Sequence, residues 1–112
     1  MKISVDTAEH YSWGSGCDGW HLVKQPALSI IQERMPPGTS EARHFHAVAR
    51  QFFFVLEGTL AIESDGVRRE LTTGEGLEIP PKTVHQVFNI DGGPTDFLVV
   101  SQPASHGDRV LS

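Results

Sequence analysis

From Ala27 onward the chain breaks into short apolar stretches divided by turn-forming residues, about every eight to twelve positions, the spacing of an all-β sandwich or barrel. The expected strands are Leu28 to Met35, Phe52 to Glu57, Thr59 to Ser64, Val67 to Leu71, Gly76 to Ile79, Val84 to Asn89 and Phe97 to Ser101. Punctuation closes each of them. Pro36-Pro37-Gly38 stops the first, Asp65-Gly66 is a two-residue type I′ hairpin signal, and Gly74-Glu75-Gly76 and Asp91-Gly92-Gly93-Pro94 turn the chain later on. No helix longer than a turn is expected. Phe52-Phe53-Phe54-Val55-Leu56 carries no polar alternation, so both of its faces are expected to be covered, one by a second sheet or another subunit.

A chain of 112 residues holds one core and not two, and its 38% apolar share is that of a folded domain. We read residues 1–26 as an irregular N-terminal arm, 27–102 as the β-barrel domain and 103–112 as a polar surface tail. The arm centres on three glycines between Trp13 and Trp20. A formal charge of −5, with basic residues single or in the one pair Arg68-Arg69, argues against nucleic acid as a partner, because no basic stripe exists to displace phosphate counterions. No apolar run is long enough to span a bilayer, and the first residues lack the core of a secretory signal, so a cytoplasmic address is expected. Cys17 stands alone, which removes both a disulfide framework and a multi-cysteine zinc site.

Six histidines are many for so short a chain. His44 and His46 are separated by one residue, and in a strand that spacing aims both imidazoles at one face, with roughly 6.6 Å between their Cα atoms. Gln51 follows at an odd offset, so it meets the same point only if the chain turns or bulges through Ala47 to Arg50. His85 arrives from a later strand. Three imidazoles and one oxygen donor suit Fe(II), Ni(II), Zn(II), Mn(II) or Cu(II), with positions left open for water or substrate.

Gly38, His44, His46, Gln51 and Gly58 fall at the spacing of the first cupin motif, and Gly74, Pro80, His85 and Asn89 at that of the second. Over residues 28–101 the chain therefore resembles small single-domain cupins. The resemblance implies a double-stranded β-helix, a jelly-roll barrel of the RmlC-like kind, holding a divalent transition metal (Fe, Ni, Zn or Mn) on His44, His46, Gln51 and His85. Two positions depart from the family pattern: Lys82 stands where the second motif has a glycine, and Gln51 where the first has a glutamate. A neutral carbonyl ligand leaves the ion its full double charge, which lowers affinity, raises Lewis acidity and favours small acidic, chelating substrates. Some cupins acting on unsaturated uronates resemble this chain in using Gln here. They also carry a carboxylate on the last strand, whereas Phe97 to Ser101 has none.

The expected function is that of a metal-dependent enzyme, of isomerase, lyase or dioxygenase type, acting on a small polar or acidic molecule such as a sugar acid or a keto or hydroxy acid. The alternative is a non-catalytic binding or sensor barrel. An acid or base beside the metal discriminates them. The sequence offers His106, with Asp108 to orient it and Arg109 to bind an anion, and Arg34, beside Glu33 and Gln32 on a strand of unfixed register. A metal-free epimerase needs a tyrosine in the cavity, and the lone Tyr11 is expected to lie in the arm, away from it. Asn89 is expected to tie a strand end. A homodimer is expected, formed by the apolar Phe52 to Leu56 strand and the arm.

Overall fold

Asp65 and Gly66 both take left-handed backbone, with φ of 49° and 76°, and the type I′ turn they form joins β6 (Thr59–Ser64) to β7 (Val67–Thr72). The same economy of turns governs the whole chain. In the computed structural model, which describes residues 1–105 and 107–112, the remaining strands are β1 (Glu9–Trp13), β2 (Cys17–Gln25), β3 (Leu28–Met35), β4 (His44–His46), β5 (Arg50–Glu57), β8 (Gly76–Ile79), β9 (His85–Asn89), β10 (Thr95–Gln102) and β11 (Arg109–Leu111). The fold is all-β. No helix among the described residues is long and apolar enough to cross a membrane.

Two antiparallel sheets face each other, a larger one in the order β1-β2-β3-β10-β5-β8 and a smaller one in the order β11-β4-β9-β6-β7. Their inner faces share a core of Met35, Phe53, Val55, Leu60, Ile62, Ile79, Val87, Phe97 and Val99, all buried. Truncating Phe97 there removes a large, fully buried side chain, at a cost of about 3–5 kcal/mol. Asn89 closes one end: its amide nitrogen donates to the carbonyls of Met35 (2.7 Å) and Gly93 (3.0 Å), and its oxygen accepts from the Asp91 N–H (2.7 Å) and the Thr95 hydroxyl (3.1 Å).

One expectation needs correction. The arm is not irregular, because β1 and β2 pair in register from Glu9↔His21 to Trp13↔Cys17, and β2 then pairs with β3. The three glycines concealed this: Gly14 and Gly16 make the hairpin turn at φ of 53° and 79°, while Gly19 leaves room for the Tyr11 ring lying across it. Among the described residues of one chain, no second sheet covers the outer face of strand β5, which leaves another subunit as the cover expected from the sequence. Gln51, Phe53 and Val55 point inward, whereas Phe52 and Leu56 remain 40% and 37% exposed on the outer face of the larger sheet.

Candidate metal centre

The chain changes sheets between His46 and Arg50, and that crossing brings Gln51 to the histidines. β4 lies in the smaller sheet and β5 in the larger one, so Gln51 faces β4 across the barrel. His44 pairs directly with His85 on β9, their ring centroids 4.4 Å apart, and the centroids of His44 and His46 are 5.0 Å apart. All three histidines are buried, at 3%, 6% and 1% exposure for His44, His46 and His85, and their potential ligand nitrogens lie within 4.8 Å of one another.

The hydrogen bonds decide which nitrogen faces inward. His44 Nδ1 donates to the Ala42 carbonyl at 2.8 Å and His85 Nδ1 to the Thr83 carbonyl at 2.9 Å. A carbonyl only accepts, so Nδ1 carries the proton in each ring and Nε2 keeps its lone pair. His46 Nδ1 donates to Asp108 Oδ1 at 2.6 Å, and Asp108 Oδ2 accepts the Val48 and Ala49 N–H groups that hold the crossing. Gln51 Nε2 donates to the Ser101 hydroxyl at 3.0 Å, which turns the amide oxygen to the other side. Both that oxygen and His85 Nε2 are buried without a hydrogen-bond partner among the described residues. Buried polar atoms are normally paired, at a cost of about 1–3 kcal/mol where they are not, and a divalent cation is the partner this donor set fits. Burial also lowers the His44 imidazole to about 4 and depresses His85, so both rings stand neutral, as metal ligation requires.

His44, His46 and Gln51 line a cavity of about 210 Å³, together with Tyr11, Trp13, Glu33, Glu41, Ser101 and Arg109. Tyr11 is thus in the cavity and not away from it, and its hydroxyl donates to Glu33 Oε2 at 3.1 Å. Burial raises Glu33 to about 7, against the lowering effects of the Tyr11 hydrogen bond and of Arg109. Burial and the charge of Glu33 together raise Glu41 to about 8. Arg34 points the opposite way, its guanidinium bonded to Asp96 at 2.7 Å and lying over Trp20 on the outer face. His106 lies outside the described residues. The tail does more than cover the surface: β11 pairs with β4, Asp108 grips His46, and Arg109 reaches the cavity. Glu33 was recoverable from the register of β3, which puts Ser29, Ile31, Glu33 and Met35 on one face. Nothing local marks Glu41 or the Asp108 partner.

Lys82, at the position where the motif has a glycine, keeps a glycine-like φ of 65°, and its N–H donates to the His46 carbonyl at 2.7 Å. The turn is therefore preserved despite the side chain.

The chain is 32% identical over 92 residues to an uncharacterized protein of Methanocaldococcus jannaschii, covering 81% of this chain and 74% of that one. It is 28% identical over 96 residues to the probable oxidoreductase yanE of Aspergillus niger, covering 82% of this chain but only 37% of the longer fungal protein. An RmlC-like cupin from Shewanella frigidimarina superposes with a TM-score of 0.83 at 24% identity, over 93% of this chain and 91% of that one. The cupin domain family model matches residues 31–101, from β3 to near the end of β10, and the chain belongs to the cupin family.

Proposed function

We propose that this cupin is a metal-dependent enzyme acting on a small polar or acidic molecule, with His44, His46, His85 and Gln51 as ligands of one divalent transition metal. The observation that carries the reading is the convergence of the imidazole Nε2 atoms and the Gln51 oxygen, two of them buried without a hydrogen-bond partner among the described residues. A divalent ion in this place supplies Lewis acidity toward a substrate oxygen.

The chain's own residues supply the rest. Arg109 is the guanidinium cation among the described lining residues of the cavity and draws a carboxylate toward it. Glu33 holds a proton at Oε1 or Oε2 near neutral pH, the range in which a carboxyl both takes up and returns one, and the Tyr11 hydroxyl fixes the position of Oε2. Ile31, Phe53 and Val99 keep the inner wall apolar and limit water. Titratable groups within the cavity favour an enzyme over a purely binding barrel. The similarity to a probable oxidoreductase supports redox chemistry, while a Glu33 proton shuttle supports isomerase or lyase chemistry; the bound metal selects between them.

Elemental analysis of protein purified without an affinity tag is expected to find about one divalent transition metal per chain. His44→Ala should abolish it with the β signature in circular dichroism intact. Metal-free wild-type protein that takes up no Co(II), Fe(II) or Zn(II) at micromolar concentration would refute the reading.

The same reading includes a homodimer. Phe52 and Phe54 stack at 6.2 Å on the outer face of the larger sheet beside Leu56, an apolar patch that isologous pairing would bury. Sedimentation should give twice the chain mass, and a monomer at micromolar concentration would overturn the dimer. The buried single thiol of Cys17 agrees with a cytoplasmic address.

A further inference from the structure

A second cavity, about 340 Å³, adjoins the metal-side one and shares Tyr11, Ile31 and Ser105 with it. His21, Lys24, Gln25, Ser29 and Ala104 complete its lining, and the Ala104 N–H closes the far side by donating to the Pro26 carbonyl at 3.1 Å. Alone, the metal-side cavity of about 210 Å³ falls below the range of roughly 300–1,000 Å³ usual for ligand pockets; the two together lie within it.

The wall between them is built with care for position. The Tyr11 ring lies over Gly19, its cross-strand partner, where any Cβ would collide with it. It tilts against the His21 ring at 5.0 Å, and its hydroxyl is committed to Glu33. One edge of Tyr11 therefore belongs to the metal side and its face to the outer side.

The outer lining selects a chemistry. Lys24, its cation, is largely exposed and paired with Glu9 at 3.0 Å, so solvent screening and the neighbouring carboxylate leave an anion little to gain there. Ile31 and the two rings offer flat apolar walls. His21 Nδ1 is buried with no partner among the described residues, and burial keeps that imidazole below its ordinary value and thus neutral. A neutral imidazole nitrogen, the Ser29 hydroxyl and the Gln25 amide suit hydroxyl groups, which both donate and accept.

We propose that one ligand spans both cavities, with a chelating pair of oxygens on the metal side and a neutral, hydroxyl-bearing ring in the outer cavity against Tyr11 and His21. This rests on the metal reading above and adds the substrate class to it.

Two hydroxamates test the proposal by calorimetry on Co(II)-loaded protein. Acetohydroxamate carries the chelating head alone, and 4-hydroxybenzohydroxamate adds a hydroxylated ring. The ring probe is expected to bind at least about tenfold tighter, the effect of roughly one good hydrogen bond plus ring contact. Ala104→Trp, which fills the outer cavity from the segment after β10, should erase that advantage and leave acetohydroxamate binding unchanged. His21→Phe, which keeps the ring and removes the nitrogen, should reduce it several-fold. Equal binding of the two probes to wild-type protein, or an advantage that survives Ala104→Trp, would overturn the proposal while leaving the metal reading in place. Co(II) uptake, followed separately by its visible absorption, shows whether the metal reading itself has failed and taken this inference with it.

Discussion

His44 and His85 are each anchored by the carbonyl two residues before them, whereas His46 is anchored by a carboxylate sixty-two residues later in the chain. The first two rings are oriented by the path of their own strands. The third depends on the tail folding back along β4. One half of the candidate site is thus a local property of two strands, and the other is assembled only when both termini close over the barrel: the tail brings Asp108 and Arg109, and the N-terminal hairpin brings Tyr11 and Trp13. The comparison teaches that metal geometry and cavity chemistry have separate structural owners in this small fold.

The difference can be broken most directly at Asp108. Asp108→Ala removes the acceptor of His46 Nδ1 and the carboxylate that holds the Val48 and Ala49 N–H groups, so metal affinity should fall about 10- to 100-fold. Thr83→Val, which leaves the anchoring carbonyl of His85 in place, should change affinity by no more than about twofold. Co(II) or Zn(II) competition titrations give both numbers, and equal losses in the two variants would erase the distinction.

The cavity half should also reveal itself through pH. Glu33 and Glu41 hold their protons to about 7 and 8 in the folded chain, while a carboxyl in the unfolded chain ionises near 4.5. Between those limits these two carboxyls bind more protons in the folded state, so their contribution to the stability of metal-free protein is fully present below the unfolded value and is lost as pH rises through 7 to 8, whereas His44 and His85, held neutral by burial, act in the opposite sense below about 6.5. The two carboxyls share one cavity and titrate as a coupled pair. Urea midpoints at pH 5.5 and 8.5 should therefore differ in favour of the lower pH, and Glu33→Gln should shrink the difference. A higher midpoint at pH 8.5 in wild type would contradict the assignment.

The smallest effect is expected at Lys82, where the two halves touch through the bond from its N–H to the His46 carbonyl. A lysine at φ of 65° carries the strain of a left-handed residue, so Lys82→Gly should stabilise the fold by about 1 kcal/mol, read from thermal or chemical denaturation. Metal affinity should stay unchanged, since the backbone path is already that of a glycine.

Much of the fold is legible in the sequence. The strands Leu28–Met35, Thr59–Ser64 and Gly76–Ile79 lie where turn residues and apolar runs put them. The hidden elements share a cause. In β2 the alternation is broken by Gly19 and by a bulge between His21 and Val23, and β4 and β11 are three residues each, too short for any period to register. The exposure of Phe52 and Leu56 was hidden for a different reason, because an apolar outer face and a buried one look the same in a run of apolar residues.

What the sequence determined by itself is the set of possible ligands: two histidines at strand spacing, a glutamine at an odd offset and a histidine on a distant strand are matters of residue type and interval. Tertiary structure alone decided which ring nitrogen faces inward, that Asp108 serves His46, that Tyr11 and Glu33 enter the cavity while Arg34 leaves it, and that a second cavity adjoins the first. Spacing along a strand fixes only the alternation of its faces. Which face meets the interior depends on which strands pair across the sheet, and that is settled by contacts between residues tens of positions apart.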